Sequence, residues 1–199
     1  MPQADARRTD EMESTIAIRV RNVSKTFPGV QALRAVSFEL ATGEVHGLVG
    51  ANGAGKSTLI RMLSGAGTPD TGEIEVRGRP IFFEDPRAQR GNGIAAIYQE
   101  LTIVPEMTAL SNVFLGAVPH RFLFTDRRRM ERRFRELADW MGLAIPPHAR
   151  AGTLSVANQQ MLEIMRAVEA EHSVIIMDEP TAPLGPFERD RLYDVIGRL

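Results

Sequence analysis

Hydrophobic and polar positions change period partway along this chain. Residues 16–23 alternate apolar with polar, which predicts a half-exposed strand, and residues 36–40 predict another. Residues 45–49 form a short apolar run suited to a buried parallel strand. Residues 72–83 carry Glu-Ile-Glu-Val-Arg-Gly and then Pro-Ile-Phe-Phe, a hairpin turning at Gly78. Residues 94–98 predict an apolar strand ending at Gln99. Beyond that point the period is helical. Residues 126–141 place Met130, Phe134, Leu137 and Met141 on one face, with Asp126 to cap the start and Gly142 to end it. Pro146 and Pro147 then break the chain. Residues 155–170 predict a second helix, 174–177 a four-residue strand and 187–199 a last helix. Antiparallel strands followed by strands alternating with helices imply an α/β core with an antiparallel β flank and a helical insert.

One segment carries a chemical signature. Residues 50–57 read Gly-Ala-Asn-Gly-Ala-Gly-Lys-Ser, the G-x-x-x-x-G-K-[ST] spacing of a phosphate-cradling loop. The expected strand at 45–49 precedes it and a helix from Thr58 follows. Backbone amides of Gly50, Asn52, Gly53, Ala54, Gly55 and Thr58 would face phosphate at a helix N-terminus. Lys56 would reach the β- and γ-phosphates, and the Ser57 hydroxyl would ligate Mg²⁺. The strand at 174–177 runs into Asp178 and Glu179. Asp178 is suited to hold the metal, and Glu179 to act as general base on the attacking water.

The order of Gly50–Ser57, Gln99, Leu154-Ser155-Val156-Ala157-Asn158-Gln159-Gln160 and Asp178-Glu179-Pro180-Thr181 resembles an ATP-binding-cassette ATPase, from Ile16 onward. Lys25 to Leu33, Tyr98-Gln99-Glu100-Leu101 and the signature variant with Val156 and Ala157, followed by Gln159-Gln160-Met161-Leu162-Glu163-Ile164, are similar to the first cassette of bacterial monosaccharide importers of the ribose, xylose, arabinose and galactose type. The resemblance implies a P-loop core over residues 15–104 and 153–199 and a helical subdomain over 105–152, while the polar residues 1–14 predict a disordered start. It implies that Gln99 contacts Mg²⁺ or the attacking water, and that Phe27 stacks on adenine. It also implies that Ser155, capping its helix, faces the γ-phosphate bound by a second cassette. The partners it implies are that second cassette, a membrane permease and, indirectly, a periplasmic sugar-binding protein, with the chain at the cytoplasmic face of the bacterial inner membrane.

Two departures belong to this reading. In the loop Thr181-Ala182-Pro183-Leu184-Gly185-Pro186, Pro183 stands where relatives usually show a small residue and Gly185 where they show a polar one, and the two prolines stiffen the loop and remove donors. Relatives also carry a histidine further on, whereas His46, His120, His148 and His172 all precede the acidic pair. The expectation is a C-terminally truncated cassette that by itself binds ATP weakly and hydrolyses it poorly.

Composition narrows the alternatives. A formal net charge of −1 over 199 residues gives no global pull toward nucleic acid or anionic membrane. With no cysteine there are neither disulfides nor thiol metal sites. No apolar run approaches the ~20 residues of a membrane span. Arg127, Arg128, Arg129, Arg132, Arg133 and Arg135 are punctuated by Glu131, Glu136 and Asp139, the pattern of a solvated face. A soluble cassette acting on DNA or ribosomes would be expected to insert long heptads or basic arms, and neither is present. A regulatory nucleotide-binding module without turnover is the third reading, opposed by the intact Glu179.

Overall fold

The computed structural model describes residues 16–81, 93–121 and 124–199. The expected disordered start over 1–14 lies outside the described residues, as do Phe82 and Phe83 of the expected hairpin. The chain divides into two compact units, one up to Ala95 and one from Ala96.

The first unit is built on a four-stranded antiparallel sheet in the order β2-β1-β3-β4. Its strands are β1 (Ile16–Phe27), β2 (Val30–Ala41), β3 (Thr71–Val76) and β4 (Arg79–Pro80). The alternation seen in the sequence becomes the burial pattern: Ile18, Val20 and Val23 of β1 and Ile74 and Val76 of β3 are buried, and the intervening positions meet solvent or pair ionically. Arg19 Nε lies 2.6 Å from Glu39 across the β1–β2 ladder, and Arg21 Nη1 lies 3.0 Å from Glu73 across β1–β3. Both strands of the opening hairpin extend further than the alternation predicted, meeting at Phe27 and Val30. Helix α1 (Lys56–Leu63) buries Leu59, Ile60, Met62 and Leu63. It starts two residues before the predicted Thr58, so Lys56 and Ser57 belong to its first turn.

One expectation fails here. Residues 45–49 form no strand, and Val45, Leu48 and Val49 are 73%, 45% and 94% exposed. Apolar composition favours burial but does not supply ladder partners. A strand exists only where a neighbouring chain satisfies its amides and carbonyls, and among the described residues none pairs with this run.

Strand β5 (Ile94–Ile97), along which the chain enters the second unit, pairs with β8 (Val174–Met177). Three helices make that unit's apolar centre: α2 (Ala109–Val113), α3 (Arg127–Trp140) and α4 (Val156–Glu169). The predicted stripe of α3 is realised, with Met130, Phe134, Leu137 and Met141 all buried. The Asp126 carboxylate accepts from the Arg129 amide at 3.0 Å, and Gly142, at φ +66°, ends the helix in the left-handed region that glycine enters freely. The Pro146-Pro147 segment folds back on α2, whose Leu110 amide donates to the Pro147 carbonyl at 2.9 Å. Arg133 joins α3 to α4 through Glu169 at 2.8 Å, a bond that raises the guanidinium pKa above its ordinary value. Arg127, Arg128, Arg129, Arg132 and Arg135 are exposed. The unit also holds a short hairpin of β6 (His120–Arg121) and β7 (Phe124–Thr125), which the sequence reading missed. The last helix, α5 (Pro186–Ile196), begins with proline in its first turn, where a missing amide costs nothing. Pro186 is therefore a helix start, while Leu184 before it is buried. Among the described residues no helix is long and apolar enough to cross a membrane.

Candidate functional site

In the first unit the glycine loop turns directly into α1. Gly53 and Gly55 take φ of +79° and +91°. Gly55 is the α1 N-cap residue and supplies no side-chain cap, so the first-turn amides receive no bond from it. A Cβ at Gly55 would stand 2.3 Å from the Ala32 carbonyl oxygen, so both conformation and space demand glycine. The loop's end thus lies close against the backbone of β2 at Ala32. Lys56 Nζ donates to the carbonyls of Gly50 at 2.7 Å and Ala51 at 3.0 Å, arching back over the loop. Ser57 and the loop residues Gly50, Asn52, Gly53 and Ala54 are exposed, and Thr58 is half-buried.

Phe27 ends β1 with 43% of its surface exposed, so it does not fill the core of the β flank. Lys25 Nζ lies 5.8 Å from the centre of its ring. Asp70 accepts from Lys25 Nζ at 2.7 Å and from the Thr26 amide at 2.7 Å, which fixes the backbone just before Phe27. These bonds, that to Lys25 foremost, lower the Asp70 carboxyl below its ordinary pKa.

In the second unit β8 ends in the acidic pair. The Asp178 amide donates to the Ile97 carbonyl at 2.9 Å, placing Asp178 at the end of the β5–β8 pairing, two residues from Gln99 on the neighbouring strand's exit. Asp178 is half-buried, whereas Glu179 and Gln99 are exposed. Glu179 has φ of +48°, a left-handed backbone costing about 1–2 kcal/mol in a residue with a Cβ. No residue type around Glu179 signals that backbone geometry. Ser155 caps α4, its hydroxyl accepting from the Asn158 amide at 3.2 Å, and is exposed beside an exposed Val156.

Among the described residues three polar side chains are buried, Asn112, Gln160 and Glu163, at 0%, 2% and 2% exposure; Gln160 and Glu163 belong to the expected signature helix, but their burial was not anticipated. A signal for Glu163 existed, since it interrupts the run Met161-Leu162-Glu163-Ile164-Met165 with a carboxylate.

With this geometry in view, the comparisons decide the family. The ABC transporter family model matches residues 33–182, from β2 through the acidic pair. The chain belongs to the ABC transporter family. It is 48% identical over 182 residues to a ribose import ATP-binding protein of Rubrobacter xylanophilus, covering 92% of this chain and 36% of that protein. It is 44% identical over 183 residues to an arabinose import ATP-binding protein of Burkholderia cenocepacia, again covering 92% of this chain and 36% of the relative. The chain thus spans about a third of the length of these curated relatives. Its fold is similar to a nucleotide-free ATP-binding cassette from an ABC transporter, at a TM-score of 0.79 and 26% identity, covering 92% of this chain and 76% of the other. It is also similar to the dimeric structure of a bacterial ABC transporter cassette, at 0.77 and 25%, covering 90% and 81%. The α/β cassette expected from the sequence is the observed class.

Proposed function

We propose that this chain is the ATP-binding and ATP-hydrolysing part of a monosaccharide importer. The observation that carries the reading is the loop before α1, with Gly55 at φ +91° against the Ala32 carbonyl and Lys56 arched over it. Loops of that design lead backbone amides and one ammonium toward phosphate. The names of the similar proteins, ribose and arabinose import ATP-binding proteins, supply the substrate class.

In this reading the amides of Gly50, Asn52, Gly53, Ala54, Gly55 and Thr58 bind the phosphates of ATP, with Lys56 on the β- and γ-phosphates and Phe27 stacked on adenine. The exposure of Phe27 beside a cationic Lys25 supports the last role. Ser57 in the first unit, and Gln99 and Asp178 in the second, are each candidate ligands for Mg²⁺. A hydroxyl, an amide oxygen and a carboxylate are hard oxygen donors that suit this ion. The metal supplies charge neutralisation on the phosphate oxygens. Glu179 accepts the proton of the attacking water. Gln99 orients that water, and Ser155 contributes its hydroxyl and the α4 N-terminus to the nucleotide of a second cassette, in keeping with the dimeric cassette to which the fold is similar. Positioning and charge neutralisation supply the catalysis without a covalent intermediate. Dimer closure would drive a permease at the cytoplasmic face of the membrane, fed by a periplasmic sugar-binding protein.

The test is reconstitution of the intact polypeptide with its permease in vesicles. ATP hydrolysis stimulated by a pentose or hexose with its binding protein is the expected result. Hydrolysis stimulated only by nucleic acid or ribosomes would overturn it.

A further inference from the structure

A buried polar contact joins the segment after Gln99 to helix α4. The Glu163 side chain is 1% exposed. Its Oε1 accepts from the Thr102 amide at 2.5 Å and from the Thr102 hydroxyl at 2.7 Å. Arg166 Nη2 lies 3.4 Å from the same oxygen and donates to Thr102 Oγ1 at 2.5 Å. Glu163 Oε2 has no hydrogen-bond partner among the described residues. A carboxylate buried this deeply is costly, and an apolar residue would serve packing better. What it adds is a grip on one backbone amide.

That amide sits at a particular place. Gln99 lies in a span of four residues, 98–101, fastened at both ends. At one end the Ile97 carbonyl accepts from the Asp178 amide at 2.9 Å. At the other, Glu163 holds Thr102. Two residues further, the fully buried Asn112 holds Val104 at both its amide, 2.8 Å, and its carbonyl, 3.0 Å. Gln99 and Glu100 between the anchors are exposed. Glu163 also shares α4 with Ser155, two turns away at the helix N-cap.

We propose that Glu163 is a positioning residue for Gln99: it ties the far end of the glutamine span to α4, so that a displacement of α4 at its Ser155 end moves Gln99 relative to Asp178. This rests on the reading of Gln99 as the group that meets metal or water in ATP hydrolysis.

The test uses the intact polypeptide and compares Glu163→Leu, Thr102→Val, Gln99→Ala and the Glu163→Leu/Gln99→Ala double variant. Glu163→Leu keeps the volume and removes the grip. Its ATP affinity should stay within about twofold of the parent while kcat falls about tenfold, the split that marks a lost transition-state interaction. In the double variant kcat should equal that of Gln99→Ala within about twofold, because both changes remove one function. Glu163→Gln, which retains an acceptor oxygen, should recover most of the rate. Should Glu163→Leu fail to fold, Thr102→Val with and without Gln99→Ala carries the same comparison, with a smaller fall of a few-fold that vanishes in the Gln99→Ala background. Independent, multiplicative losses, or an unchanged kcat in a variant whose Gln99→Ala counterpart is slow, would overturn the proposal alone. A parent protein that does not hydrolyse ATP, or a rate indifferent to Lys56→Ala, would instead overturn the functional reading and this proposal with it.

Discussion

Lys56 Nζ donates to the Gly50 carbonyl at 2.7 Å, so the only ammonium in the glycine loop is spent on the loop's own backbone. A triphosphate oxygen is a stronger acceptor than a peptide carbonyl, and the ammonium would exchange one for the other. Lys56→Ala should weaken ATP binding by at least ~100-fold, since charge-assisted hydrogen bonds contribute about 1.5–3 kcal/mol each. It should change unfolding free energy by less than about 1 kcal/mol, because the side chain is only half-buried. Titration calorimetry with ATP and urea unfolding measure the two. Unchanged affinity would remove Lys56 from the site.

Gly55 separates conformational from steric demand. Gly55→Ala must hold φ near +91° and also place a Cβ 2.3 Å from the Ala32 oxygen, which is backbone and cannot swing aside. Gly29→Ala at φ +79° meets nothing within 4 Å. The second substitution should cost about 1 kcal/mol and the first about 3 kcal/mol or more, from strain plus overpacking. Equal losses in urea unfolding would mean that the loop's end is not held against β2.

Ser155 has a structural role as the α4 cap and a proposed nucleotide-binding one, and two substitutions part them. Ser155→Ala removes the α4 cap and should cost about 1 kcal/mol of stability. Ser155→Asp keeps an equally good cap, adds a carboxylate that the helix N-terminus favours, and should leave stability intact. The same carboxylate would repel a γ-phosphate, so ATP hydrolysis should fall at least ~100-fold in the aspartate variant. Full hydrolysis by Ser155→Asp would confine Ser155 to capping.

Where the sequence was legible, a periodic signal and a local terminator agreed. Helix α3 is the clear case: a four-residue apolar stripe, Asp126 before it and Gly142 after it all act as read. The glycine loop and the helix that follows it were legible because the turn is encoded within eight consecutive residues, 50–57. Residues 45–49 misled because burial and pairing depend on distant partners that an apolar run does not specify. The burial of Glu163 and Asn112 was not anticipated, for the converse reason. Their partners, Thr102 and Val104, are backbone or short polar groups without a pattern of their own. The φ of +48° at Glu179 is set by the turn that follows β8 and leaves no mark in residue type.

Asp70 gives a pH dependence with a defined sign. Its carboxyl is lowered, first by Lys25 and then by the Thr26 amide. A lowered native pKa stabilises the fold above the ordinary aspartate value of about 3.9 and loses that contribution as pH falls through the native value. Asp70→Asn should therefore lower the urea midpoint at neutral pH and flatten its decline below about pH 4. An unchanged acid limb would show that the Lys25 and Thr26 contacts do not persist in solution.

Glu179 carries the central claim, that this cassette hydrolyses ATP by activating water. Glu179→Gln keeps shape and hydrogen bonding and removes only the basic oxygen. The decisive measurement is turnover and ATP affinity of this variant in the intact polypeptide. ATP affinity within about twofold of the parent, with kcat reduced about 10²–10⁴-fold, is the predicted result. Undiminished turnover in Glu179→Gln would contradict it.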